Sequence, residues 1–171
     1  MDAIETYDVG GRTQTEEGGT GTSVKNPDEA RLVVKLVDRL VSQTRVSPDE
    51  IGVITPYSAQ VRELESRFSH SGATPTVDTV DSFQGGEKTA IFVSMVRSNA
   101  DGEIGFMARR VDGKRRFNVA LSRAQRYCCI VGDWETFTNP GLPDEIRGIY
   151  ETMYDSLEST GRLRSFDVSL L

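Results

Sequence analysis

The segment Ala90–Met95 is Ala-Ile-Phe-Val-Ser-Met, a short and almost wholly apolar run within a chain of 171 residues. Such a run is typical of a central strand in a parallel sheet, because that strand is buried on both faces. Other strand-like segments are Ala3–Val9, Ile51–Thr55, Thr76–Val80 and Tyr127–Val131. Helical patterns separate these strands, so we predict an α/β fold with a mostly parallel central sheet and helices on both faces.

Helix starts and apolar periodicity predict where the chain leaves the sheet. The segment Asn26–Glu29 joins a capping side chain, a proline in the first turn and acids near the positive end of the helix dipole. Ser47–Glu50 has capping-box spacing and predicts a short helical turn. Further helices are expected after Ser58, over Lys114–Ala124 and from about Pro143. Behind Asn26, apolar residues recur on one helical face at Ala30, Val33, Val34, Val37, Leu40 and Val41.

The length fits a single domain over residues 1–171, in which the tail Leu163–Leu171 adds an edge strand or stays loose. Gly10–Ser23 is rich in Gly, Thr and Glu and is expected to be a mobile loop. We find no apolar run that could span a membrane and no signal sequence, so we expect a cytoplasmic protein, or a nuclear one in a eukaryote. The adjacent Cys128 and Cys129 are expected to be buried thiols, and no metal site is predicted.

The distribution of charge singles out one segment. The net charge is −6, which argues against a protein that coats nucleic acid by bulk charge. Arg109–Arg126 holds seven Lys or Arg residues and one acid, Asp112, a local +6 that leaves −12 on the rest. A charge run is commonly a solvated face. This one adjoins a Gly-rich turn and a polar helix, which favours a local site for phosphates.

Two segments carry residue types that meet phosphates and riboses rather than fill a core. Thr79–Glu87 is Thr-Val-Asp-Ser-Phe-Gln-Gly-Gly-Glu and follows a predicted strand. Its glycines let a ligand approach the backbone, although a bare Gly-Gly would suit a tight turn equally well. Asn118–Ala124 is Asn-Val-Ala-Leu-Ser-Arg-Ala on a predicted helix, where Arg116 and Arg123, two turns apart, are expected to share a face.

Together with Thr55–Gln60 (Thr-Pro-Tyr-Ser-Ala-Gln) and Val96–Asn99 (Val-Arg-Ser-Asn), these segments resemble motifs of superfamily 1 helicases, in the Upf-like branch of superfamily 1B. Thr79–Glu87 is similar to motif V, with Gly86 where many relatives carry Arg, and Asn118–Ala124 is similar to motif VI. The resemblance spans roughly residues 26–137. It implies the second, C-terminal RecA-like motor domain, a three-layer fold of the P-loop NTPase type.

The resemblance also implies roles for individual residues. Arg123 would be the arginine finger that stabilises charge on the transferred phosphoryl group, and Arg116 is a second candidate for the same phosphates. Gly85 and Glu87 would contact the nucleotide, Glu87 at its ribose. For one of the nucleic-acid contacts, Tyr57, stacking on a base and packing against a helix are both compatible with the sequence. Contacts to single-stranded DNA or RNA are expected from six residues: Tyr57, Gln60, Thr79, Ser82, Gln84 and Arg97.

The chain contains no Gly-x-x-x-x-Gly-Lys-[Ser/Thr] loop and no apolar run that ends in Asp-Glu. ATP and Mg²⁺ would therefore be held mainly by a first RecA-like domain that this chain lacks, and the chain alone is expected to hydrolyse no ATP. Two alternatives stay open: a nucleic-acid-binding module that kept the fold without the ATPase, and a protein-interaction domain that uses the acidic surface.

The expected place of the chemistry follows from the sheet. Ligands gather at the carboxyl ends of parallel strands. We therefore expect the site in the loops after Thr55, Val80, Met95 and Val131, of which the first three hold the suggestive residues.

Overall fold

The computed structural model of the protein describes residues 3–18, 23–83, 86–108 and 112–165. Its strands are β1 (Ala3–Asp8), β2 (Glu16–Glu17), β3 (Val24–Lys25), β4 (Ile51–Thr55), β5 (Thr76–Thr79), β6 (Lys88–Ser94), β7 (Ala124–Gly132) and β8 (Leu163–Ser165). Six of them form a sheet in the order β5-β4-β6-β7-β1-β8, in which every neighbouring pair is parallel. β2 and β3 form a separate antiparallel pair.

Helices cover both faces of the sheet. They are α1 (Pro27–Gln43), α2 (Ser58–Phe68), α3 (Asp112–Ser122), α4 (Trp134–Phe137) and α5 (Asp144–Ser159), with 3₁₀ helices at Pro48–Glu50 and Gly105–Ala108. α1 and α2 pack on one face and α3, α4 and α5 on the other, so the sheet separates two apolar cores. Cys128 and Cys129 are buried in opposite cores, as alternation along a strand requires. The predicted three-layer α/β fold is confirmed.

Local signals explain most element boundaries. The Asn26 side chain accepts a hydrogen bond from the Glu29 backbone N–H at 3.0 Å and so caps α1. The Ser47 backbone N–H donates to the Glu50 carboxylate at 3.0 Å, which completes the capping box of the first 3₁₀ helix. Among the described residues, no helix combines the length and the apolar character needed to cross a membrane.

Three boundaries differ from the predictions. α2 begins at Ser58 itself, and the cap comes from Ser23, whose Oγ accepts from the Ala59 N–H at 2.9 Å. Part of the predicted loop Gly10–Ser23 pairs as β2. The helix expected to continue to Ala124 ends at Ser122, because Ala124 already pairs with Lys88 in the sheet. Arg123 is therefore the single residue between α3 and β7.

Because its strands are parallel, the sheet has two distinct ends along the strand direction. β4 to β7 all begin at one of these ends, which we call the amino edge, and finish at the other, which we call the carboxyl edge. α3 runs back across the sheet, since Arg116 near its start contacts the turn after β5 and Arg123 at its end contacts the start of β6. One helix thus connects the two edges.

Candidate functional site

The predicted site residues divide between the two edges of the sheet. Glu87 immediately precedes β6 and Arg123 immediately precedes β7, and the Lys88 N–H donates to the Arg123 carbonyl at 2.9 Å. The backbones of Glu87 and Arg123 are therefore neighbours at the amino edge. The sequence predicted chemistry at the carboxyl edge, whereas these two residues lie at the amino edge, because each comes immediately before a strand.

Arg123 has a fixed backbone and an unengaged side chain. Its N–H donates to the Ala120 carbonyl at 3.2 Å, and its own carbonyl accepts from Lys88. The side chain is partly exposed, and its guanidinium makes no hydrogen bond or ion pair with any residue that the structure describes. A cation presented in this way can meet an anionic ligand without first breaking a contact inside the domain.

The rest of the predicted nucleotide contact is only partly described. The Glu87 side chain is exposed, and its carboxylate accepts a long hydrogen bond of 3.4 Å from the Gln125 amide. Such a carboxylate remains available to ribose hydroxyls, which are hydrogen-bond donors. Gly85, the other predicted nucleotide contact, and Gln84, a predicted strand contact, lie outside the described residues.

Arg116 does not lie beside Arg123. Its Nε donates to both carboxylate oxygens of Asp81, at 2.8 and 2.9 Å. Seven residues of helix correspond to about 10 Å along the axis, so Arg116 lies in the first half of α3 and Arg123 lies just past its other end. The Arg116–Asp81 pair borders a cavity of about 360 Å³, lined by Val80, Asp81, Arg115, Arg116 and Val119.

The turn after β5 presents two of the predicted nucleic-acid contacts, Thr79 and Ser82, at the carboxyl edge. The Thr79 carbonyl accepts from the N–H groups of Ser82 and Phe83 at 3.1 and 2.8 Å, and the Thr79 hydroxyl accepts from Ser82 N–H at 3.3 Å. These bonds hold the turn closed. Ser82 is exposed and Thr79 is partly exposed, so hydroxyl groups of both can reach a ligand.

Tyr57 and Arg97 form a pair at the same edge. The Arg97 Nε donates to the Tyr57 hydroxyl at 2.9 Å, and the Arg97 Cζ lies 5.3 Å from the centre of the tyrosine ring. Burial raises the pKa of Tyr57, which is only 6% exposed. Gly105 packs over the pair with a φ of 61°: a Cβ there would lie 2.7 Å from the Tyr57 oxygen and 2.8 Å from Arg97 Nη2. Of the Arg97 side chain, 15% remains exposed.

Gln60, which the sequence also predicted to contact nucleic acid, is fully buried. Its amide donates to the Asn26 carbonyl at 3.2 Å and to the Ser94 hydroxyl at 3.0 Å, and it accepts from the Asn26 N–H at 2.8 Å. Each polar atom of the side chain is thus used inside the domain. In this conformation Gln60 links α2 to the start of α1, and its side chain cannot also contact a nucleic-acid strand.

Sequence reasoning missed the most unusual polar residue of this region, Glu29. It is fully buried, and its Oε1 accepts from the Ser94 hydroxyl at 2.5 Å and from the Val96 N–H at 2.9 Å. Burial raises the pKa of Glu29 to about 8. The sequence did hold a signal: Glu29 shares with Val33 and Val37 the apolar face of α1. Among the described residues, no group of three or more His, Cys, Asp or Glu could hold a metal ion.

A parallel six-stranded sheet between two layers of helices is a three-layer α/β domain of the RecA-like class. Comparison with known proteins gives the family. The model of the AAA domain family matches residues 2–135, and the chain belongs to that family, as a Upf-like superfamily 1 helicase domain.

Individual relatives agree with this assignment. The chain is 36% identical over 140 residues to "DNA-binding protein SMUBP-2" of Mus musculus, covering 82% of this chain and 13% of that protein. It is 39% identical over 130 residues to "DNA replication ATP-dependent helicase/nuclease DNA2" of Mus musculus, covering 75% and 12%. It is 34% identical over 165 residues to "Regulator of nonsense transcripts 1 homolog" of Drosophila melanogaster, covering 92% and 13%. The chain thus spans about an eighth of the length of these relatives.

Proposed function

We propose that this chain is the second motor domain of an ATP-dependent helicase or translocase, in which Arg123 is the arginine finger. The observation that carries the proposal is the state of Arg123: its backbone is fixed next to the start of β6, whereas its guanidinium pairs with none of the described residues. An unpaired arginine at a protein surface loses no internal contact when it binds phosphate, and its planar fork suits phosphate oxygens.

The amino edge would form one wall of the nucleotide site. Glu87 would contact the ribose there, together with Gly85, and Arg123 would approach the γ-phosphate when the site closes. ATP and Mg²⁺ would be held mainly by a first RecA-like domain, because the chain has no phosphate-binding loop of its own. Relatives whose names include "ATP-dependent helicase" support this requirement for ATP.

The carboxyl edge would bind single-stranded DNA or RNA. Thr79 and Ser82 are the accessible contacts, and Gln84 would continue the same segment. Arg97 and Tyr57 would complete the surface, with the exposed part of Arg97 directed to the phosphate backbone and Tyr57 as its support. Gln60 supports this edge from within and is not proposed as a contact. The name "DNA-binding protein SMUBP-2" of one relative is consistent with a nucleic-acid partner.

The test requires a protein in which this chain is joined to a first motor domain that carries a phosphate-binding loop. Single-turnover ATP hydrolysis is measured for the parent, for Arg123→Ala and for Arg123→Lys. Because a finger acts where charge develops in the transition state, Arg123→Ala should slow hydrolysis by roughly 10³-fold or more with little change in ATP affinity. Lysine should rescue little, since a point charge cannot reproduce the planar fork.

Two controls make the result specific. Arg147→Ala removes an arginine from α5, where its partners are Asp144 and Glu151, and should hydrolyse ATP at the parent rate. Glu87→Ala should show the opposite balance to Arg123→Ala, with weaker nucleotide binding and a smaller effect on the chemical step. Hydrolysis near the parent rate in a folded Arg123→Ala variant would contradict the proposal, as would ATP turnover by the 171-residue chain alone that Arg123→Ala abolishes.

A further inference from the structure

The segment that leads from β6 to Arg97 contains a strained turn. Val96 has a φ of 73°, although β-branched residues avoid the left-handed region. The Arg97 N–H donates to the Met95 carbonyl at 2.9 Å, so Val96 is the central residue of a three-residue γ-turn. A γ-turn with positive φ is the rare and strained form. Such a conformation persists only where the surrounding structure determines it.

Side chains from the start of α1 hold this turn from both sides. The Val96 N–H donates to Glu29 Oε1 at 2.9 Å, and the Val96 carbonyl accepts from the Asn26 side-chain amide at 3.2 Å. Thr15 adds a hydroxyl to the same carbonyl at 3.2 Å. Of these contacts, only Glu29 reaches the N–H group of the strained residue. Both polar backbone atoms of Val96 are thus bonded to side chains from other parts of the chain.

The turn decides where Arg97 points. It redirects the chain immediately after Met95. The side chain of Arg97 then lies against Tyr57 through a 2.9 Å hydrogen bond and a cation–π contact. A relaxed, extended Val96 would rotate the following residue away from this position, because neighbouring side chains of an extended chain point to opposite sides.

We infer that Glu29 is a positioning residue for the carboxyl edge: by bonding the Val96 N–H it maintains the γ-turn and so sets Arg97 on Tyr57. The strand-binding part of this inference rests on the proposed function. A carboxyl group on the apolar face of a helix is costly to bury, and an apolar residue would pack there without that cost. Only Oε1 is used, since Oε2 has no partner among the described residues. An amide, which also has one acceptor oxygen, should therefore substitute for the carboxyl group.

The first experiment reads the position of Arg97 directly. In the ¹⁵N-labelled 171-residue chain, a hydrogen-bonded Arg97 Nε–H should give a signal that exchanges slowly with water, assigned by its loss in Arg97→Lys. The signal should survive Glu29→Gln and disappear in Glu29→Met, which keeps the length of the side chain and removes the acceptor. Glu65→Met, at an exposed position of α2, is the matched control and should leave the signal unchanged.

A second substitution separates positioning from packing. Glycine adopts positive φ without steric cost, so Val96→Gly should restore the Arg97 signal in the Glu29→Met background. If Glu29 only filled space, removal of the fully buried Val96 side chain would worsen the defect instead. Persistence of the Arg97 signal in folded Glu29→Met, or a failure of Val96→Gly to restore it, would overturn the inference.

If Glu29→Met does not fold, the wild-type chain decides through a titration. The Val96 N–H and Arg97 Nε–H resonances should shift together with one midpoint as Glu29 ionises, and neither should do so in Glu29→Gln. Among the described residues, Asp133, which follows β7, is a charged group that raises the pKa of Glu29, so Asp133→Asn should move that midpoint without abolishing it. Resonances that titrate alike in wild type and Glu29→Gln would overturn the inference.

Strand affinity then links the inference to the proposed function. Fluorescence anisotropy with a labelled oligothymidylate should show weaker binding by about threefold or more for Arg97→Gln, and by a similar factor for Glu29→Met. If Arg97→Gln binds like the parent while the Arg97 signal still depends on Glu29, the strand-binding role fails and the positioning role stands. If Arg97→Gln weakens binding and Glu29→Met changes neither the signal nor the affinity, the positioning role of Glu29 fails and the strand-binding role of Arg97 stands.

Discussion

Arg116 and Asp81 form an ion pair in which one guanidinium nitrogen, Nε, lies 2.8 and 2.9 Å from the two carboxylate oxygens. The side chains are 31% and 62% exposed, so the pair contributes only about 0–1 kcal/mol to stability. Its importance is geometric. It joins the turn that carries Thr79 and Ser82 to α3, whose far end leads into Arg123.

The two partners of this pair should have opposite effects on nucleic-acid binding. Asp81→Asn removes a negative charge from the carboxyl edge and should tighten binding of a single strand, by about two- to fivefold at low salt. Arg116→Gln removes a positive charge and should weaken it by a similar factor. Anisotropy titrations with one oligonucleotide would measure both, and urea unfolding should show less than about 1 kcal/mol of change for each. Equal effects of the same sign would mean that the pair acts through folding alone.

Gly52 in β4 leaves room for Phe83, which lies in the connection from β5 to β6. A Cβ at Gly52 would lie 2.7 Å from Phe83 Cζ and 2.7 Å from Ile91 Cδ1. Gly52→Ala should therefore displace Phe83 and lower the free energy of unfolding by about 1–3 kcal/mol. Phe83→Leu in the same chain should recover part of the loss. Both values come from urea unfolding monitored by circular dichroism.

Gly148 provides a matched control for that substitution. It lies inside α5, and no atom is within 4 Å of a Cβ built there. Gly148→Ala should stabilise the chain by about 0.5–1 kcal/mol, because alanine favours the helix. A loss of stability at Gly148, or none at Gly52, would contradict the packing described here.

Glu29 should make stability depend on pH in a defined direction. Burial raises the pKa of Glu29 from 4.5 to about 8, so between these values the folded state binds a proton that the unfolded state has lost. Its contribution is fully present below pH 4.5 and is lost as the pH rises through about 8, by on the order of 5 kcal/mol.

The measurement compares unfolding free energies of wild type and Glu29→Gln from pH 5 to pH 8.5. The variant should lack this component. Asp8, whose pKa is also raised by burial, contributes equally to both chains and cancels in the difference. A difference between the two chains that does not change over this pH range would show that the folded state binds no proton at Glu29, so that Glu29 is charged throughout.

Binding of single strands by the 171-residue chain should be weak, indifferent to sequence and sensitive to salt. Few phosphate contacts are available at the carboxyl edge, and the acidic remainder of the chain repels a polyanion. With two or three contacts, the logarithm of the affinity should fall with a slope of about −2 against the logarithm of the salt concentration. Tight, sequence-specific binding that persists at high salt would favour a stand-alone binding module.

Much of the fold could be predicted from the sequence because its signals are local. The apolar run over β6, the cap at Asn26 and the capping box at Ser47 each act within a few residues. The end of α3 could not be predicted in this way. Ala124 has a helical environment in the sequence, but it pairs with Lys88, a partner 36 residues away, and this pairing ends the helix.

The candidate site was less accessible to the same reasoning. Gln60 looks like a surface residue until Asn26 and Ser94, each 34 residues away, occupy its amide. Glu29 acquires its position through Ser94, the last residue of β6, and Val96, two residues beyond that strand. Periodicity places Glu29 on the apolar face of α1, but in neither case does it identify the distant partners that bind the buried polar side chain. The motif resemblance identified which residues to consider, but not which of them face outward.

The two edges are separated by the full length of β6, seven residues or about 23 Å, and its interior is fully buried between the two cores. A sheet packed in this way resists internal deformation, so a displacement at one edge rotates the whole sheet and moves the other edge. A tilt of about 10° swings an edge 23 Å from the pivot through about 4 Å, comparable to the spacing of neighbouring nucleotides. In the proposed motor the domain would move as a rigid lever, and its displacement would be set by strand length rather than by any single side chain.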